Sequence, residues 1–172
     1  MTVSKPTMIT KFHTKSKYHR PTTKRTKTTK IAWHYTGGTD VPAINTWKYF
    51  ENSKAYASAH FICGLEGEIY YAVPMNEIAY TSNSANYYSI GIECSTTGTD
   101  DHYSDKQYKS MVQLGAWLAQ EYDLDPRKDF IRHYDVTGKN CPKYFANNSK
   151  KWEQFKLDCY NYMIGKLKDS GI

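Results

Sequence analysis

The segment Ser89-Ile90-Gly91-Ile92-Glu93-Cys94 limits the possible folds strongly, because its residues alternate between the two faces of an extended strand. The apolar face consists of Ile90, Ile92 and Cys94. The opposite face is small and polar and consists of Ser89, Gly91 and Glu93. We therefore predict a strand with a core on one side and, on the other side, an open space that holds a carboxylate.

Further strands are predicted on both sides of this segment. Residues 31–35 alternate large apolar side chains with small or polar ones. Residues 60–63 and 69–73 are predicted to pair as a hairpin about the turn at residues 65–68. A short strand is predicted at residues 129–134, so that strands recur along most of the chain.

Helices are predicted between these strands. Pro42 suits the first turn of a helix, and an apolar stripe follows it at Ile44, Trp47 and Phe50. Ser104 and Gln107 form a capping box before a second helix, Ser149 is predicted to cap the last helix, and residues 83–88 are predicted as a polar loop. Strands that alternate with helices favour a layered α/β fold, and 172 residues suit one domain.

The net charge of +6 is distributed unevenly. Residues 1–30 hold nine of the 23 Lys and Arg and none of the 17 Asp and Glu, which leaves a net charge of −3 on the remainder. We predict a basic, flexible N-terminal arm at residues 1–15 and a catalytic domain at residues 16–172. Such an arm favours any polyanion, and teichoic acid, nucleic acid and anionic lipid stay equal candidates on charge alone.

The cellular location and redox state are also predicted from the sequence. No apolar run approaches the roughly 18 residues of a membrane helix, and the N-terminus lacks the apolar region of a secretory signal. We expect synthesis in the cytoplasm and no membrane span. The four cysteines show no CxxC pairing, so they are predicted to be thiols or a metal ligand instead of a disulfide framework.

Five residues could form a catalytic metal site. His34 lies on a strand face with Ala32, and His133 and Cys141 flank a loop that contains Gly and Pro. Two imidazoles and a thiolate leave zinc one open position, which distinguishes a catalytic site from a structural one. Glu93 is a candidate general base and Lys139 a candidate for oxyanion stabilisation. The spacing alone also allows a structural histidine, a small buried thiol and a solvated glutamate.

Four ordered segments resemble a known family: IAWHYTG, ASAHFICGLEGEIYYAVP, NYYSIGIEC and IRHYDVTGKNCP. The chain resembles, over roughly residues 16 to 160, the zinc amidases related to peptidoglycan-recognition proteins, and especially the amidase modules of Gram-positive, clostridial-type phage endolysins and autolysins. The resemblance implies a central mixed β-sheet with helices on both faces. It also implies hydrolysis of the amide between N-acetylmuramic acid and L-alanine in peptidoglycan.

The resemblance also implies roles for particular residues. His34, His133 and Cys141 match the zinc ligands, Glu93 matches the catalytic glutamate, and Lys139 matches a lysine thought to stabilise the transition state. The further candidates for substrate binding are Tyr35, Thr36, His60 and Asn86.

Two positions depart from the family pattern. Ala59 stands where some relatives have tyrosine, so Glu93 is expected to be the main acid–base group. Ala79-Tyr80-Thr81 stands where many relatives have a histidine that could touch substrate, which bears on substrate preference.

The alternative function is a non-catalytic peptidoglycan-binding domain. A third hypothesis is a nucleic-acid-binding protein, but no base-reading or stacking motif accompanies the basic segment. We expect a monomer that acts on the cell wall after release, with peptidoglycan and anionic wall polymers as partners and no specific nucleic acid. Whether it is a phage lysin or a bacterial autolysin is left open.

Overall fold

The computed structural model describes residues 2–172, which form six strands and six α-helices. The strands are β1 (Ile9–Thr10), β2 (Lys30–Thr39), β3 (Phe61–Cys63), β4 (Ile69–Tyr71), β5 (Ser89–Thr96) and β6 (Phe130–Arg132). The helices are α1 (Ala43–Asn52), α2 (Asp105–Glu121), α3 (Pro126–Asp129), α4 (His133–Thr137), α5 (Lys143–Asn147) and α6 (Ser149–Met163). Two short 3-10 helices lie at Asn83–Tyr87 and Asp169–Gly171.

All six strands belong to one mixed sheet, in the order β1-β4-β3-β5-β2-β6. The β3–β4 hairpin is antiparallel, whereas β5 runs parallel to β3 and to β2, and β2 runs parallel to β6. The central strands β5 and β2 are therefore paired on both sides, which agrees with the burial of residues 31–34 of β2 and of nearly all of β5. The predicted mixed α/β sheet is confirmed.

The two faces of the sheet have different partners. Trp33 and Ile92 point into the main core, where Phe155 of α6 meets the Trp33 ring edge-on at 4.8 Å between centroids. Each large side chain buried there stabilises the fold by roughly 1.5–3 kcal/mol. On the opposite face, Phe50 of α1 packs with Ile62 in a smaller cluster. The helices thus lie on both faces, as the sequence predicted.

The N-terminal segment packs against the body, although the sequence predicted a loose arm at residues 1–15. β1 pairs in parallel with β4, and the His13 amide donates to the Ala72 carbonyl at 2.9 Å. The side chains of Val3 and His13 are buried, the latter against Glu51 at 2.8 Å. The physical reason is the free edge of β4, whose backbone groups offer hydrogen bonds to this segment. The flexibility of the segment and the domain boundary at residue 16 stay predictions.

Several helix boundaries differ from those predicted. The last strand ends at Arg132, and His133 begins α4 because Asp135 accepts the Arg132 amide at 2.8 Å and starts a helical turn. Ser149 is the first residue of α6, and its N-cap is Asn148.

The start of α2 follows the prediction in part. Ser104 accepts the Gln107 amide, as a capping box requires. The Gln107 side chain, however, donates to the carbonyls of Cys63 and Ser95, so it joins α2 to two strands.

None of the helices within residues 2–172 combines the length and the apolar character needed to cross a membrane.

Candidate metal centre and active site

The alignment of β2 and β5 places His34 beside Glu93. These two residues are register partners across the parallel strands, as are Ala32 and Gly91. Because parallel register partners share a sheet face, the imidazole and the carboxyl point to the side of the sheet away from the main core. The small face predicted for β5 is therefore the floor of the site.

The second pair of site residues comes from α4 and the loop after it. α4 ends at Thr137 and is followed by Gly138, whose φ of 79° is the left-handed conformation that glycine adopts readily. The chain then turns back, and the Tyr134 amide donates to the Cys141 carbonyl at 2.9 Å. This hydrogen bond brings Cys141 next to His133, although seven residues separate them in sequence.

His34, His133 and Cys141 meet in one buried cluster. One potential ligand atom from each residue lies within 4.8 Å of the others. The Cys141 Sγ is 3.7 Å from His34 Nδ1, and the centroids of the two imidazole rings are 4.9 Å apart. Two imidazoles and one thiol are a donor set that suits tetrahedral zinc with one position left for water or substrate. The residues present therefore fit a catalytic zinc ion.

Burial sets the protonation of these three groups. Burial lowers the pKa of His34 well below its ordinary value, and the neighbouring His133 and Lys139 lower it further. The pKa of His133 falls for the same reasons, burial and then Lys139. Both imidazoles are thus neutral near pH 7, as metal ligation requires. Burial, followed by Glu93, raises the pKa of Cys141 to about 12, so a metal ion that binds there displaces a proton.

Glu93 has the environment of an acid–base group. Its Oε2 atom is buried and has no hydrogen-bond partner within the described residues. Burial raises the pKa of this carboxyl to about 8, and the positive charge of Lys139 acts in the opposite direction. A carboxyl whose pKa lies near neutrality can both accept and donate a proton under ordinary conditions.

Two cavities open on this site. One, of about 330 Å³, contains the three-residue cluster and is bordered by Tyr56, Tyr80, Asn83 and Asn86. The other, of about 390 Å³, runs along α1 and is bordered by Thr36, Asn45 and Tyr49. Tyr35, Glu93 and Lys139 line both cavities, so an extended ligand that crosses from one to the other passes over the carboxyl and the ammonium group.

Three of the four candidates for substrate binding lie at these cavities. Tyr35 lines both, Thr36 lines the one along α1, and Asn86 lines the one with the cluster. The Asn86 side chain also has a structural role, because its Oδ1 accepts from the amides of Thr81 and Ser82 at 3.0 and 2.6 Å. Contact of Tyr35, Thr36 and Asn86 with substrate stays a prediction.

His60 is not at either cavity, which corrects its assignment to substrate binding. It is 0% exposed, its Nδ1 accepts from the Gly91 amide at 3.0 Å, and its Nε2 donates to the Glu77 carbonyl at 2.7 Å. Burial, followed by the adjacent Arg25, lowers the pKa of His60 to about 3. Both ring nitrogens are therefore occupied in joining β5 to the loop at Glu77.

The residues that the sequence analysis missed lie just before and within the 3-10 helix at Asn83–Tyr87. Ser82 Oγ is 2.7 Å from His34 Nε2, and Asn83 Oδ1 is 3.0 Å from His133 Nε2. Thr81 packs on Gly91, where a Cβ would lie 2.1 Å from Thr81 Oγ1. Gly91 was the sequence signal that could have indicated these residues. The open strand face at a glycine needs a side chain from another part of the chain to fill it.

A mixed α/β sheet that carries two histidines, a cysteine and a buried glutamate at one cavity has the residues that could hold a catalytic metal ion. The family model for N-acetylmuramoyl-L-alanine amidase matches residues 24–144, and the chain belongs to this family. The resemblance stated from the four sequence segments is thereby confirmed.

Individual relatives agree with this membership. The chain is 33% identical over 171 residues to the N-acetylmuramoyl-L-alanine amidase BlyA of Bacillus subtilis (strain 168), covering 88% of this chain and 46% of BlyA. It thus spans about half the length of the curated relatives it matches.

Two solved structures share the fold. The catalytic domain of XlyA is 26% identical with a TM-score of 0.74, and the match covers 90% of this chain and 99% of that one. A mutant endolysin from Bacillus subtilis is 28% identical with a TM-score of 0.77, over 89% of this chain and 98% of that one.

Proposed function

We propose that this chain hydrolyses the amide bond between N-acetylmuramic acid and L-alanine in bacterial peptidoglycan and requires zinc to do so. Membership of the amidase family supports the reaction. The observation that carries the proposal is the cluster of His34, His133 and Cys141, whose ligand atoms lie within 4.8 Å of one another. Glu93 lines the same cavity, and its buried Oε2 has no hydrogen-bond partner within residues 2–172.

The metal supplies part of the chemistry. Zinc held by His34, His133 and Cys141 would act as a Lewis acid and would lower the pKa of a water molecule to about 7. His34, His133 and Cys141 would hold the ion in the cavity that Glu93 also lines. The protein contributes a fixed geometry and a water-poor floor, because the three ligating residues are buried.

Glu93 moves the proton. Its carboxylate accepts a proton from the attacking water, and the resulting carboxyl donates that proton to the nitrogen of the departing L-alanine. The pKa of about 8 that burial gives this group makes both transfers feasible near neutral pH. A fully solvated glutamate has a lower pKa, so its carboxylate would be a weaker acceptor for the proton of the attacking water.

Lys139 provides positive charge at the same place. Its side chain is exposed at the border of both cavities, and its charge acts on the pKa values of Glu93, His34, His133 and Cys141. A cation in that position stabilises negative charge that develops on the amide oxygen during attack. Tyr35, at the junction of the cavities, is proposed to contact the substrate on either side of the scissile bond.

The basic N-terminal segment is proposed to favour anionic wall polymers. Lys5, Lys11, Lys15 and Lys17 are exposed on it, so their charges are available for long-range attraction. Action as a monomer on the wall, after release from the cytoplasm, is part of the same proposal.

Metal analysis combined with wall digestion tests this function. We expect one zinc per purified chain and new L-alanine amino termini from purified cell walls. Glu93→Ala should keep the zinc and release no amino termini, whereas Glu121→Ala, at an exposed position at the end of α2, should digest walls like the original chain. Wall binding without new termini in the unmodified chain would favour the non-catalytic alternative, and full activity of Glu93→Ala would refute the mechanism.

A further inference from the structure

Two consecutive residues contact the two histidines of the candidate metal site through the Nε2 atoms of their rings. Ser82 Oγ lies 2.7 Å from Nε2 of His34, and Asn83 Oδ1 lies 3.0 Å from Nε2 of His133. These pairs are 48 and 50 residues apart in sequence, so the contacts are made by the fold and not by local chain geometry. In both histidines the nitrogen that makes this contact is Nε2, and no hydrogen bond joins Nδ1 to Ser82 or Asn83.

The direction of these hydrogen bonds follows from the chemistry of the acceptors. The Asn83 Oδ1 atom can only accept, so His133 Nε2 carries the proton. The Ser82 hydroxyl donates its own proton to Thr81 Oγ1 at 3.3 Å, so its oxygen accepts from His34 Nε2. A neutral imidazole has one N–H, and a proton on Nε2 leaves the Nδ1 lone pair free. For His34, that Nδ1 is the atom that faces Cys141 Sγ at 3.7 Å.

We propose that Ser82 and Asn83 are positioning residues, which hold His34 and His133 with protonated Nε2 and thereby present both Nδ1 atoms to the metal. The inference rests on the proposed function, because it concerns the metal centre of that reaction. A partner that fixes the tautomer and the orientation of a ligating histidine is typically worth 10–100-fold in metal affinity.

The turn that carries the two residues is itself held in place. Asn86 Oδ1 accepts from the amides of Thr81 and Ser82. Asn83 has a φ of 55°, in the left-handed region that asparagine adopts more readily than most residues. Thr81 fills the space over Gly91 on β5. The acceptors thus have fixed positions before any metal binds, which is the condition for selecting a tautomer.

The test measures tautomers in the metal-free protein and zinc affinity in the same variants. Long-range nitrogen–proton NMR correlations of the histidine rings report which nitrogen carries the proton. Ser82→Ala removes one acceptor, and Asn83→Gly removes the other while tolerating the positive φ. Asn83→Asp retains an acceptor oxygen, and Ser84→Ala is the matched control, because Ser84 is exposed in the same 3-10 helix.

We expect Nε2–H at both histidines in the unmodified chain, with loss of this preference at His34 in Ser82→Ala and at His133 in Asn83→Gly. Zinc affinity, measured by competition with a chelator, should fall about 10–100-fold in each of these two variants and stay within about twofold in Asn83→Asp and Ser84→Ala. Nδ1–H tautomers in the unmodified chain, or unchanged affinity in both Ser82→Ala and Asn83→Gly, would overturn the proposal. A chain that shows these tautomers and affinities but releases no L-alanine termini would refute the proposed function alone.

Discussion

At the scale of single residues, Glu93 combines two properties that ordinarily exclude each other in a stable protein. It is a buried carboxyl, and one of its oxygens has no hydrogen-bond partner within the described residues. Such a group costs stability, because the folded protein must either desolvate a charge or take up a proton. The cost is consistent with a residue kept for proton transfer, since stability and activity often oppose each other at catalytic sites.

Replacing Glu93 with Gln should stabilise the metal-free protein while abolishing wall digestion. Because the folded-state pKa of about 8 lies above the ordinary 4.5, the folded protein holds an extra proton between these pH values, and its stability falls as pH rises through them. The advantage of Glu93→Gln should therefore be near zero at pH 4.5 and reach about 4 kcal/mol at pH 8. Urea unfolding of both chelator-treated proteins across this pH range measures their difference in stability. A difference that does not change with pH would contradict the prediction.

Lys139→Met should lower kcat/KM for wall digestion by about 10²–10³-fold and leave the zinc content unchanged. Lys139 lowers the pKa of Glu93, so its removal raises that pKa. More alkaline solution is then needed to ionise the carboxyl, and the acidic limb of the pH profile should move to higher pH. Lys150→Met, at an exposed position on α6, is the control. An unchanged pH profile would show that Lys139 is electrostatically remote from Glu93 during catalysis.

At the scale of elements, the strand β5 and the turn before the 3-10 helix depend on each other. Gly91 has no side chain, and Thr81 occupies the space where one would be, with three of its side-chain atoms within 2.7 Å of an added Cβ. Position 91 also donates its amide to His60, which links β5 to the Glu77 loop. The strand therefore positions the turn that contacts both site histidines.

Gly91→Ala should displace Thr81 and the turn with it. We expect a loss of about 1–3 kcal/mol in the free energy of unfolding, because the added methyl group overpacks a filled site. Zinc affinity should fall as well, since Ser82 and Asn83 move away from the histidines. Gly171→Ala, near the C-terminus, meets only the end of the Leu167 side chain at 3.2 Å and should change stability by less than about 0.5 kcal/mol. Equal stability of Gly91→Ala and the original chain would refute the packing argument.

At the scale of the whole molecule, the N-terminal segment extends the sheet and carries much of the positive charge. Its backbone bonds to β4, and His13 stacks on Trp47 of α1 at 4.8 Å between ring centroids. Lys11 lies over the same Trp47 ring at 4.6 Å. The segment thus packs against the body and also carries exposed lysines. Its contribution to stability and its attraction for anionic polymers can therefore be measured separately.

Deleting residues 1–15 should lower the free energy of unfolding by at least about 2 kcal/mol, because the hydrogen bonds to β4 and the burial of Val3 are lost. Denaturant unfolding of the truncated chain measures this. Replacing exposed Lys15 and Lys17 with Gln should leave stability within about 0.5 kcal/mol and weaken wall binding most at low salt. An unfolding midpoint that does not change on truncation would support a flexible arm instead.

The sequence by itself determined the alternating strands and the fold class, and it predicted the three residues of the candidate metal site. Side-chain alternation and helix signals are local, so β2, β5 and α2 could be predicted without knowing their neighbours. The four family segments supplied the pairing of His34 with His133 and Cys141, which spacing alone left open.

Tertiary structure alone decided the surroundings of these residues. The burial of His60, the attachment of β1 and the contacts of Ser82 and Asn83 with the histidines all join parts of the chain that lie far apart in sequence. No local pattern encodes them, because a hydrogen bond between residues 48 or 50 positions apart exists only once the order and register of the strands have brought its two ends together.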